Sequence, residues 1–258
     1  MLGKLLKYEL KSTMRTFLPL YAAILGMSFI IGMFGIYDMA EIGSFAIIIF
    51  ISLMVALTVV TVLMIINRFN RNLLKDEGYL MFTLPVKVES LVLSKVISSI
   101  IYIILSTIVV MIAFVIIMLL SGVLPLLNDG LRNLWSYLTA QLMNSKDIVM
   151  NFVFYFVDIM FGYIVFILTI YFSISLGQLR IFRNKRTIAA VIGFMVINSA
   201  RASLTSFIIN LLGGNAETFS MNMWTEPVGM VSIGMSVVVS LILFFGTVYI
   251  LKNKLNLE

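Results

Sequence analysis

The chain has 258 residues, of which 61% are hydrophobic and 12% charged, with a mean hydropathy of +1.10. That leaves too little polar surface to cover a water-soluble globule, so the chain must meet lipid. Cysteine and histidine are absent, which excludes disulfides, thiol redox chemistry, zinc sites and histidine-based acid–base catalysis. The formal charge of +6 matters less than where its cations fall.

Residues 1–16 are predicted to form an amphipathic helix. Lys4, Lys7, Lys11 and Arg15 recur every three or four residues on one face, and Leu2, Leu5, Leu6 and Leu10 gather on the other. The expectation is a helix lying along the membrane surface, or else a basic flank that orients the first span. Its apolar stretch is too long for a cleaved signal peptide. A bilayer core of about 30 Å needs roughly 20 apolar residues per helical crossing. Six stretches qualify, at 17–37, 42–66, 96–121, 150–176, 188–212 and 227–251. Strand-like alternation over about ten residues is missing, so the predicted class is an all-α polytopic membrane protein forming a single unit over 1–258.

The basic residues orient it. Lys4, Lys7, Lys11 and Arg15 precede the first span. Arg68, Arg71, Lys75, Lys87 and Lys95 fall between the second and third, and Arg180, Arg183, Lys185 and Arg186 between the fourth and fifth. Lys252 and Lys254 follow the sixth. The other side holds only Arg132 and Lys146. The positive-inside rule then puts both termini in the cytoplasm.

Between the second and third spans, Asn67 to Lys95 is too long for a minimal turn. Arg68, Arg71 and Lys75 share a helical face, Asp76-Glu77-Gly78 ends that helix, and Pro85 suits the first turn of the next. A charged element of this kind suits docking on a cytoplasmic partner; a solvated connector is the plainer alternative. In the outer loop 122–149, Leu131, Leu134, Trp135, Leu138 and Leu142 share one face and predict a surface-lying helix.

Two ionisable residues fall inside spans, Asp158 in the fourth and Arg201 in the fifth. Both are costly in lipid and must face protein or water. They pair with each other, take part in a pathway, or reach the outer interface. Around Arg201 the run Asn198 to Ser206, with Ser203 at its centre, is unusually polar. It forms either a broken, re-entrant helix or an intact one whose hydroxyls bond between helices.

Enzymatic constellations are missing from the sequence. There is no G-x-x-x-x-G-K-[ST] loop to hold phosphates and no G-x-S-x-G elbow, and a serine nucleophile would lack its usual histidine base. Catalysis by this chain alone is not expected.

The six spans, the basic amphipathic N-terminus and the motif Lys75-Asp76-Glu77-Gly78-Tyr79 … Thr83-Leu84-Pro85 resemble permease subunits of ATP-binding-cassette transporters of the type-2 exporter class. The form D-E-G-Y-L-x-F-T-L-P-V looks like permeases of Gram-positive bacteria, many of which serve export of or resistance to antimicrobial peptides. The resemblance covers nearly the whole chain. It implies a bacterial cell-membrane protein whose first cytoplasmic loop docks on a separate ATPase carrying the ATP and Mg²⁺. Asp76 and Glu77 would then meet basic residues of that subunit, and Tyr79 and Phe82 would anchor apolar contact. Arg183 and Arg186 would make a lesser contact. It further implies pairing with a second permease, identical or different, and a re-entrant hairpin between spans 5 and 6. It implies no cofactor or metal in this chain and no nucleic-acid partner. The large extracellular domain of mechanotransmitting relatives is lacking. A six-span substrate-capture subunit of a vitamin importer and a self-contained channel or secondary transporter are the competing readings.

The topology makes a direct prediction. Single cysteines placed at Asn128 and Asn215 label with an impermeant maleimide in intact cells, and one at Asn184 does not. The reverse pattern contradicts the charge-based orientation.

Overall fold

The protein is described from a computed structural model covering residues 2–36, 40–74, 88–121, 146–212 and 227–253. Six long helices account for nearly all of them: α1 Leu2–Ile36, α2 Ala40–Leu74, α3 Val88–Leu120, α4 Lys146–Gly177, α5 Arg186–Leu211 and α6 Pro227–Asn253. A single 3-10 turn, Arg180–Lys185, joins α4 to α5. Each helix contains a window long and apolar enough to cross a membrane. Helices are what lipid demands, since every backbone N–H and C=O must be satisfied within the segment.

The helices are longer than the hydropathy alone predicts, and the reasons are local. No boundary separates residues 2–16 from the first span, because α1 runs unbroken for 35 residues, about 52 Å. The one breaker, Pro19, removes only the N–H that would bond the Arg15 carbonyl, and the helix continues through it. The surface helix expected over 1–16 is therefore no separate element. Likewise α2 continues past Asn67 to Leu74, and α3 already begins at Val88. Nothing between Asn67 and Leu74 is a glycine or proline, so polarity alone does not end the helix. The polar run 198–206 lies inside the unbroken α5, so the helix is not interrupted there. The expected hairpin with Gly213-Gly214-Asn215 and the outer surface helix around Trp135 lie outside the described residues.

The described helices divide into two compact units. The first contains α1, α2 as far as Ile65 and α3 from Ile97. Its α1 buries Thr13, Phe17, Ile24 and Ser28, at intervals of four, seven and four residues that select one face. Phe17 lies 5.0 Å from Tyr102 with near-parallel rings, and Ile24, Phe50, Leu57 and Ala113 complete the core. The Tyr102 hydroxyl donates to the Leu10 carbonyl, and Tyr21 and Ser106 share a 2.8 Å hydrogen bond. The Leu10 face of the N-terminal segment thus packs on protein, while Lys7, Lys11 and Arg15 stay exposed.

The second unit contains the end of α2 from Ile66, the start of α3 up to Val96, and α4, the turn, α5 and α6. At its centre is the half of α4 nearest Gly177. Five consecutive residues, Ile167 to Tyr171, are buried there, so neighbours cover every face of the helix. Close approach is possible because small residues stand at the crossings. A Cβ on Gly177 would lie 2.5 Å from the Arg186 carbonyl oxygen, and one on Gly246 would lie 2.6 Å from the Phe172 ring. Two of the hydroxyls in this interior are absorbed by their own helices: Thr169 donates to the Val165 carbonyl at 2.7 Å and Thr247 to the Leu243 carbonyl at 2.7 Å.

Because the Gly177 neighbour is backbone and cannot rotate away, Gly177→Ala costs about 1–3 kcal/mol through overpacking. It lowers the thermal aggregation midpoint of the detergent-solubilised protein. Gly162→Ala, where nothing lies within 4 Å, does not lower that midpoint, since Ala favours the helix interior over Gly. Equal midpoints for the two variants contradict the packing at the α4–α5 crossing.

Candidate functional site

Three places in the second unit carry the features that the sequence singles out. The first is the base of the connector between α2 and α3. Asp76, Glu77, Tyr79 and Phe82 lie in 75–87, outside the described residues, but both helical ends leading to them are described. Phe69, on the last turns of α2, is fully buried and stacks on the fully buried Tyr171 of α4, with centroids 4.3 Å apart and planes 13° from parallel. On the first turns of α3, Leu91, Val92, Ser94 and Lys95 are buried. The Ser94 hydroxyl donates to the Leu91 carbonyl at 2.8 Å. Lys95 is only 1% exposed and is engaged there, as a buried ammonium must be to offset its lost hydration. The connector therefore leaves from two anchored helix ends.

The second place is the pair of intramembrane charges. Asp158 is partly buried, and one of its carboxylate oxygens accepts a 2.7 Å hydrogen bond from Ser232 of α6. Ser232 stands five residues beyond Pro227, so the pair lies about 7.5 Å from the start of α6. Asp158 thus belongs near the end of the unit opposite Gly177, where water approaches more readily. Among the described residues it forms no ion pair with Arg201. The Arg201 Nε is itself buried without a hydrogen-bond partner. The rest of the polar run turns inward on its own helix: Asn198 donates to the Phe194 carbonyl at 2.9 Å and Thr205 to the Arg201 carbonyl at 2.9 Å. Ser203 is exposed on the surface of α5. The structure thus joins Asp158 to Ser232 and leaves Arg201, Asn198 and Ser203 as separate features of one helix.

The third place is the α4–α5 turn. Arg183 falls within the 3-10 element, and Arg186 opens α5, partly buried and engaged. Beside them Ile181 is 85% exposed and Phe182 41% exposed. Among the described residues no group of three or more carboxylates gathers to hold a metal ion.

Sequence reasoning missed Ser232 and the Phe69–Tyr171 stack. An intramembrane carboxylate demands a donor, but several serines on α6 qualify and spacing does not select among them. Phe69 and Tyr171 are aromatics within helical stretches, where such residues are ordinary. Lys95 carried a usable signal, being a lysine at the head of an apolar helix. No protein-family model matches this chain, and no characterised protein or solved structure matches it significantly.

A double-mutant cycle checks the geometry. Ser232→Ala removes the donor to a carboxylate in the bundle and destabilises by about 0.6–1.7 kcal/mol, the range of interhelical hydrogen bonds in bilayers. Asp158→Asn combined with Arg201→Gln is additive within about 0.5 kcal/mol, because no ion pair or hydrogen bond joins the two residues. Strong coupling of Asp158 to Arg201, with none to Ser232, contradicts the arrangement.

Proposed function

We propose that the chain is the membrane-spanning permease subunit of an ATP-driven exporter, coupled to a separate ATP-binding-cassette ATPase. The observation that carries this reading is the anchoring of the 75–87 connector. Its two flanking helix ends are buried in the same unit as α4, with Phe69 stacked on Tyr171. A push on such a connector is delivered to packed helices rather than dissipated in a loop. The sequence of the connector supplies a docking chemistry to match. Asp76 and Glu77 suit basic residues of a partner groove, and Tyr79 and Phe82 supply the aromatic anchors that dominate interface energetics. Lacking a phosphate-binding loop, the chain takes free energy from ATP only through contact with another subunit.

In this reading ATP and Mg²⁺ reside on the ATPase, and a second permease, the same or different, completes the translocation path. In this reading both termini face the cytoplasm of a bacterial cell membrane, an orientation that the distribution of basic residues supports. The six apolar helices favour a peptide or other amphipathic cargo over a small ion, since few charged groups stand within the spans to replace a hydration shell. The N-terminal cations exposed on α1, Lys7, Lys11 and Arg15, are suited to the anionic headgroups of the inner leaflet.

The test separates docking from transmission. Asp76→Lys with Glu77→Lys leaves membrane insertion intact and abolishes ATP-dependent transport, and Tyr79→Ala also weakens retention of the ATPase during purification. Phe69→Leu keeps apolar bulk but loses the ring stack; it retains the ATPase and lowers substrate-stimulated hydrolysis several-fold. Normal transport by all three variants contradicts the coupling role of this segment.

A further inference from the structure

The exposed apolar residues of the α4–α5 turn are unusual for their position. Ile181 and Phe182 stand out from a six-residue element whose other members are Arg180, Arg183, Asn184 and Lys185. The turn is short and fixed. Gln178 and Leu179 close α4 through hydrogen bonds to the Ser175 and Leu176 carbonyls, and the Phe182 N–H bonds back to the Leu179 carbonyl at 2.9 Å. The contact of Gly177 with the Arg186 carbonyl presses the two helix ends together. With the space between the helices filled by backbone, Ile181 and Phe182 are left outside.

Depth decides what covers them. The helix α5 that qualifies as a span runs from Arg186 to Leu211, 26 residues or about 39 Å. Centred on a core of about 30 Å, it leaves about 4–5 Å at each end, inside a headgroup layer some 5–8 Å deep. On that placement the turn adjoins the headgroup layer. At that level an apolar side chain reaches the acyl chains while a neighbouring cation reaches phosphate.

We propose that the α4–α5 turn is an anchor for anionic phospholipid. Ile181 and Phe182 enter the acyl-chain boundary, and the charge of Arg180, Arg183 and Lys185 selects anionic headgroups in the same leaflet. Arg183 then serves the membrane rather than the ATPase, and Arg186, partly buried and engaged, is held within the protein. The inference requires insertion of the chain in a bilayer and is independent of what the chain transports.

The full chain with Trp135→Phe and Trp224→Phe carries no other tryptophan, so Ile181→Trp reports on the turn alone. It is reconstituted in nanodiscs of phosphatidylcholine containing phosphatidylglycerol, with either lipid brominated near the headgroup end of its chains. The anchor predicts blue-shifted emission, at least twofold quenching by brominated lipid, and stronger quenching by phosphatidylglycerol at equal mole fraction. Arg180→Gln, Arg183→Gln and Lys185→Gln together abolish that preference. Phe182→Trp in the same background repeats the measurement if the first variant inserts poorly. Emission of a water-exposed indole untouched by brominated lipid overturns the proposal. So does equal quenching by both lipids, or shielding that appears only when an ATPase subunit is added.

Discussion

The half of α4 nearest Gly177 has no side left for lipid. From Ile167 to Tyr171 every residue is buried, and the neighbours packed on α4 include α5, α6 and, through Phe69, the end of α2. Such encasement requires close approach, which Gly177 and Gly246 permit, and it requires that hydroxyls not be stranded, which the bonds of Thr169 and Thr247 to their own helices achieve. Ser173 is the exception, its hydroxyl buried without a partner beside Gly193. The opposite half of α4 differs: Phe152, Phe156 and Ile159 are exposed, as residues facing acyl chains or another subunit must be.

This asymmetry bears on the coupling role proposed for the connector. Phe69, Leu91, Val92, Ser94 and Lys95 are buried in the unit that contains the encased half of α4, so the described helix ends on either side of the connector are packed there. A bilayer offers no hydrophobic drive between helices, so packing and ring stacking carry the association. Loss of the Phe69–Tyr171 stack therefore removes a contact for which lipid offers no equal substitute. At the far end Asp158 and Ser232 join α4 to α6 by a polar contact.

The six spans are legible in the sequence because hydrophobic length is a strong signal and helices are the required solution in lipid. Helix ends are less legible. Asn67 to Leu74 reads as loop by polarity, yet it contains no breaker, and the helix continues through it. Residues 2–16 read as a separate amphipathic helix, yet Thr13 and Phe17 share a buried stripe with Ile24 and Ser28 and belong to one continuous element. The run from Asn198 to Ser206 reads equally as a break or as an intact helix, and bonds such as Asn198 to Phe194 are what absorb its polarity. Asp158 is legible as a residue in need of a partner. That the partner is Ser232 rather than Arg201 depends on the relative height of α4 and α6, which no sequence spacing encodes.

The central claim is that energy enters this chain by contact at the 75–87 connector. A photo-crosslinking amino acid at position 79, activated in native membranes, tests it most directly, with the product identified by mass spectrometry. The account predicts a crosslink to a subunit bearing a phosphate-binding loop, lost when Asp76 and Glu77 are both changed to lysine. Crosslinks to lipid alone, or ATP-independent transport by the purified chain in proteoliposomes, would contradict it.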